Sequence, residues 1–153
     1  AARRAARVGD WPGMLAAAER AATPWKSLDP LATPVAFLEG MARMRLGDRE
    51  AATACLEHAL AANPNRMYVV NNLAALYAEA GRFDDAIPLF AIAADRYPDR
   101  IEPRHNLAAC LIDAGRWAEA VALIEDVPEA VRPEPMRDML QHARREAAAA
   151  AAP

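Results

Sequence analysis

Residues 72–98 read Asn72-Leu73-Ala74-Ala75-Leu76-Tyr77-Ala78-Glu79-Ala80-Gly81-Arg82-Phe83-Asp84-Asp85-Ala86-Ile87-Pro88-Leu89-Phe90-Ala91-Ile92-Ala93-Ala94-Asp95-Arg96-Tyr97-Pro98. Several of these positions recur elsewhere in the chain at one fixed distance. Gly47, Gly81 and Gly115 are 34 residues apart, as are Pro64 and Pro98. The same step places Ala52 on Ala86 and Ala120, Leu56 on Phe90 and Ile124, and Ala59 on Ala93. A fixed period in this range marks an array of stacked supersecondary units and outranks any local reading. Each position has a physical task. Glycine closes a helix by taking positive φ without steric cost. The alanines are small where paired helices cross, with Leu56 or Phe90 filling the space beyond. The prolines stop the second helix of each unit.

The pattern predicts helices over about 34–46 and 49–62, 66–80 and 83–96, and 101–114 and 116–126, which makes three helical hairpins. Thr33-Pro34 reads as an N-cap followed by a first-turn proline, and Asp99 with Glu102 as a capping-box-like start. Upstream, Val8-Gly9-Asp10-Trp11 matches Ala114-Gly115-Arg116-Trp117, so residues 1–22 read as a helix end, with Ala1–Ala6 its tail, and a partner helix. Gly9 to Gly47 is 38 residues rather than 34, and Pro24, Trp25 and Pro30 predict an irregular linker over 23–32. Downstream, Val127-Pro128 ends the last hairpin early, and Met136, Met139, Leu140 and Ala143 share one face of a lone terminal helix that the alanines 147–152 can continue.

The run Leu73-Ala74-x-x-Tyr77, Gly81, Ala86-x-x-x-Phe90, Ala93 and Pro98 resembles the tetratricopeptide family. The resemblance implies an all-α fold, a right-handed α-solenoid of helical hairpins closed by a C-terminal capping helix. It divides the chain into a partial, irregular hairpin and linker at 1–32, repeats at 33–66, 67–100 and 101–132, the last with a shortened second helix, and a capping helix with an Ala-rich tail at 133–153.

Composition narrows the function classes. With 54% apolar and 25% charged residues among 153, the chain can bury a core. A net charge of −3, with Lys and Arg scattered, argues against nucleic acid and anionic membrane as partners. No stretch of about 18 apolar residues without charge occurs, so direct membrane insertion is not expected. The chain opens mid-pattern, and the compartment stays open between cytoplasm and periplasm. Cys55 and Cys110 read as small buried hydrophobes.

Catalysis and metal binding find little support. His58 and His142 lack a second ligand at i+3 or i+4, His105 differs only in sitting beside Asn106, and Asp84-Asp85 suits a helix first turn. No phosphate-cradling glycine loop or nucleophile elbow occurs, so the expectation is a non-enzyme without cofactor or metal. Trp11, Phe83 and Trp117 each follow a turn glycine by two residues and read as inter-helix packing. Met41 with Met44, and Met136 with Met139, read as core by default.

The resemblance also implies that the first helix of each hairpin lines a concave peptide-binding surface. Its candidate set is Tyr68, Asn71, Asn72, Ala75 and Glu79 on one helix and Glu102, His105, Asn106, Ala109 and Asp113 on the next, each at i, i+3, i+4 spacing. Asn72 and Asn106 recur at the period and are suited either to holding a peptide backbone or simply to solvating the groove. Glu79, Glu102 and Asp113, against Arg45 alone, predict a neutral to basic partner segment. A branch of the family that clamps chaperone tails uses lysines, an arginine and asparagines. Here Phe37, Met41, Glu102 and Asn106 stand at those positions, and only Asn72 matches. The leading expectation is a non-catalytic protein- or peptide-binding scaffold, of the bacterial complex-assembly type serving secretion, pilus or envelope. The alternatives are a repeat arm of a larger enzyme, such as a glycosyltransferase, and a homo-oligomerisation module acting through its terminal helices.

Overall fold

The computed structural model describes residues 9–21 and 35–151. These hold eight α-helices: α1 (Trp11–Ala21), α2 (Val35–Leu46), α3 (Arg49–Ala62), α4 (Met67–Glu79), α5 (Phe83–Arg96), α6 (Ile101–Asp113), α7 (Trp117–Glu125) and α8 (Glu134–Ala150). A short 3-10 turn at Glu129–Val131 precedes α8, and no strand occurs among the described residues. The helices α2 to α7 start and stop within one residue of the bounds read from the sequence. The expected Ala1–Ala6 tail, the linker with Pro24, Trp25 and Pro30, and the Thr33-Pro34 cap lie outside the described residues.

One turn geometry, used three times, builds the hairpins. Gly81 has φ +72° and its N–H donates to the Ala78 carbonyl at 2.9 Å, while Arg82 N–H reaches back to Tyr77 at 2.8 Å. This is the Schellman closure, which satisfies the last carbonyls of the helix and needs a residue tolerant of positive φ. Gly47 and Gly115 repeat it with φ +86° and +71° and the same two bonds. The residue after each glycine starts the second helix. Asp48 accepts from Ala51 N–H at 3.2 Å, whereas Arg82 and Arg116 pair with the first-turn carboxylates Asp85 and Glu119.

The prolines between hairpins act in β-turns. Arg66 N–H bonds Asn63 O at 3.4 Å and Arg100 N–H bonds Tyr97 O at 3.0 Å, placing Pro64 and Pro98 second in their turns, where a fixed φ is favourable. This corrects the capping-box expectation. Asp99 is consumed as the third residue of the turn, and the N-cap of α6 is Arg100, extended and without a side-chain cap bond.

The chain divides into two compact units, Ala1–Leu76 and Tyr77–Pro153. In the first, α1 and α3 pack on α2, around Met14, Ala18, Ala42, Ala52, Leu56 and Ala59. Gly40 lies at the crossing of α2 and α3, where a Cβ would stand 3.0 Å from Leu56 Cδ2. The first hairpin departs from its sisters within the covered face of α2. Where they carry Leu73 and Tyr77, or Leu107 and Leu111, it carries Glu39 and Arg43, an ion pair at 2.9 Å. Arg43 also reaches Glu19 of α1 at 3.3 Å and Asp48 at 3.4 Å, so charge ties α1, α2 and the turn together.

In the second unit α6 packs on α5, α7 on α6, and α8 on both α6 and α7. Ala108, Ile124, Val127, Met136 and Leu140 form a buried cluster flanked by Ile101, Val121, Leu123 and Met139. Val127, expected only to mark an end, is fully buried. Arg132 donates to Val127 O at 2.7 Å, Arg144 pairs with Glu125, and the partly exposed His142 ring meets Trp117 edge-on at 5.5 Å and faces Glu146 at 3.9 Å. No described helix is long and apolar enough to cross a membrane.

Candidate functional site

The ten candidate residues fall into two groups: Tyr68, Asn71, Asn72 and Ala75 on α4 in the first unit, and Glu79, Glu102, His105, Asn106, Ala109 and Asp113 in the second. Exposure repeats with the period in four of the five pairs, Tyr68 being half-buried and its counterpart Glu102 exposed. Asn71 and His105, Asn72 and Asn106, and Ala75 and Ala109 are all half-buried, and Glu79 and Asp113 are exposed. The intervening Leu73, Ala74, Leu107 and Ala108 are buried. The helical spacing therefore separates a partly open stripe from a core stripe on each helix.

One more step of 34 extends the pattern to α2, adding Leu38 to the Phe37, Met41 and Arg45 that the sequence places on this surface. Phe37, Leu38 and Met41 are half-buried and Arg45 is exposed, class for class with their counterparts. The signal for them was the same period that placed the other two stripes.

Local bonding adjusts the chemistry expected of these side chains. Asn72 Nδ2 donates to the Tyr68 carbonyl at 2.5 Å, one helical turn back, so part of its donor capacity is spent on its own helix. Tyr68 stands edge-on to Phe37 with ring centroids 4.4 Å apart, under the Arg66 guanidinium at 5.9 Å, and its hydroxyl is buried.

Arg104 faces Asp126 at 3.7 Å, Arg82 pairs with Asp85, Arg116 with Glu119, and Arg144 with Glu125. None of these four carboxylates belongs to the candidate set. The hydrogen bond from Arg116 holds the Glu119 carboxyl below its ordinary range. Burial, the largest cause, pushes both cysteine thiols up; Cys110 is buried as expected, while Cys55 is only half-buried, beside Glu39 and Arg43. Among the described residues, no three His, Cys, Asp or Glu side chains converge as metal ligands would. A shallow cleft of about 310 Å³ lies between Gly115–Glu119 and the end of α8, and its two charged side chains, Arg116 and Glu119, bond each other.

Similarities to known proteins agree with this architecture. The chain superposes on a MamA structure designated AMB-1 with a TM-score of 0.79, at 22% identity over 96% of this chain and 85% of that one. A MamA structure designated MSR-1 gives 0.78 at 21% identity over 96% and 83%. The kinesin light chain TPR-like repeats of Podosopora anserina give 0.77 at 20% identity over 96% and 83%. These likenesses are of fold. No curated protein matches the sequence. Two tetratricopeptide-repeat family models match, one over residues 37–101 and one over 77–143. Together they span more than half of the 153 residues, and the chain belongs to the tetratricopeptide-repeat family.

Proposed function

We propose that this repeat scaffold is a non-catalytic module that holds an extended or helical segment of a partner protein on the first-helix faces of its hairpins, in a bacterial assembly of the secretion, pilus or envelope type. The observation that carries the reading is the recurrence, 34 residues apart, of half-buried Asn72 and Asn106 with exposed Glu79 and Asp113. Core positions recur because packing requires it. A partly open stripe has no such requirement, and its repetition suits the use of the same groups on each first helix toward a partner segment. The exposed carboxylates favour a neutral to basic segment on the α6 face. The two kinds of group contribute differently. Changing Asn72 and Asn106 together to Ala removes hydrogen bonds worth roughly 0.5–1.5 kcal/mol each, weakening binding at every salt concentration with the helical content unchanged. Changing Glu79 and Asp113 to Gln and Asn flattens the salt dependence instead. Titration of a captured partner at two ionic strengths separates these effects. Wild-type affinity from both double variants would place the partner on another surface.

A further inference from the structure

The three first-helix stripes match in exposure and differ in chemistry. At the three half-buried positions α4 carries Asn71, Asn72 and Ala75, and α6 carries His105, Asn106 and Ala109, whereas α2 carries Phe37, Leu38 and Met41. At the exposed fourth position the charge reverses, from Glu79 and Asp113 to Arg45. The sister helices place amides and a histidine at half-buried positions, so the apolar choice on α2 is a difference in the chemistry of a partly open surface. The ring of Phe37 also meets Tyr68 edge-on at 4.4 Å, so the apolar surface is shared between α2 and α4. Arg45 reaches over the Trp11 ring at 5.3 Å, which holds its cation at the rim of the stripe.

Resting on the reading of these faces as a partner site, we infer that the α2 stripe recognises an apolar side chain followed closely by a carboxylate. The apolar side chain seats on Phe37, Leu38 and Met41, and the carboxylate meets Arg45. Met41 and Arg45 are one helical turn apart, about 6 Å along the axis, which an extended peptide covers in about two residues at roughly 3.3 Å each. The motif is therefore an apolar residue with Asp or Glu about two positions away. This specificity differs in sign from that of the α6 stripe, where carboxylates predominate.

Selection from a phage-displayed library of random dodecapeptides on the whole immobilised chain tests it. The expected outcome is enrichment of peptides with that apolar–acidic spacing. Phe37→Ser should abolish the apolar preference, and Arg45→Glu should replace acidic by basic residues at the second position while weakening wild-type-selected peptides roughly fivefold at low salt. Both variants are checked for helical content and melting before selection, and Phe37→Leu serves as the conservative control that keeps the preference. Peptides enriched without the apolar–acidic pattern, or a pattern indifferent to Arg45→Glu, would overturn the inference and leave the groove reading standing. No enrichment of any peptide would overturn both.

Discussion

Pro88 shows how a single residue can sit against a local rule. It lies inside α5, where it removes a helical hydrogen bond to Asp84 and crowds that carbonyl. The helix continues through it because Pro88 is exposed and Asp84 is in the first turn, where water can reach its carbonyl. The opposite face carries Ala86, Phe90 and Ala93, all buried, and their packing holds the segment helical. Pro88→Ala should restore the bond and stabilise by roughly 2–2.6 kcal/mol, the interior proline penalty of about 3 kcal/mol less the roughly 0.4–1 kcal/mol of entropy that proline removes from the unfolded chain. A thermal melt of the two proteins compares them directly, and a lower melting temperature for the variant would mean that Pro88 is pre-shaping α5. The turn glycines and buried alanines were legible because spacing alone assigns them. The Asn72 bond to Tyr68 was not, since the same side chain can turn outward or back onto its own helix with no change in pattern.

At the scale of one element, α2 is where the sequence hid something. A glutamate and an arginine four apart commonly pair on an exposed helix face. In the structure Glu39 and Arg43 occupy positions that are apolar in the other two hairpins, and both are mostly covered, at 20% and 23% exposure. Their pairing is what makes that burial tolerable. Arg43→Ala would leave Glu39 partly buried without its strongest donor and would cut the ties to Glu19 and Asp48, costing roughly 1–3 kcal/mol. Replacing both, Glu39→Leu with Arg43→Tyr, installs the pair used by α4 and should return stability to the wild-type level or above, because apolar packing often matches a covered ion pair. Urea unfolding of the single and double variants gives the coupling. A double variant less stable than the single would show that the α2 environment needs the charges, through Glu19 and Asp48, more than it needs core.

Across the molecule, the 34-residue period made the hairpins readable because each repeat solves the same packing problem. What it could not specify was how α8 relates to the repeats before it. Helix α8 follows α6 at a step of 33: buried Pro103, Leu107 and Cys110 correspond to buried Met136, Leu140 and Ala143. In this register α8 is the first helix of a further hairpin. Its remaining face decides whether another helix can cover it. Ala108 and Leu111, both buried, correspond to Gln141 and Arg144, both exposed on α8. Polar side chains there solvate a face that a complete hairpin would bury, which is how a repeat stack is capped. The Arg144 pair with Glu125 is exposed, at 57% and 46%, and contributes little to folding. Gln141→Leu with Arg144→Leu should therefore leave the melting temperature within about 2 °C of wild type, since surface changes of this kind cost under about 0.5 kcal/mol. The same change creates an uncovered apolar stripe on a helix already positioned to receive a neighbour, and it should convert the chain to a concentration-dependent associating species. Light scattering over a concentration series reads the outcome. Unchanged association by the double variant would mean that Gln141 and Arg144 are not what keeps this face apart from other chains.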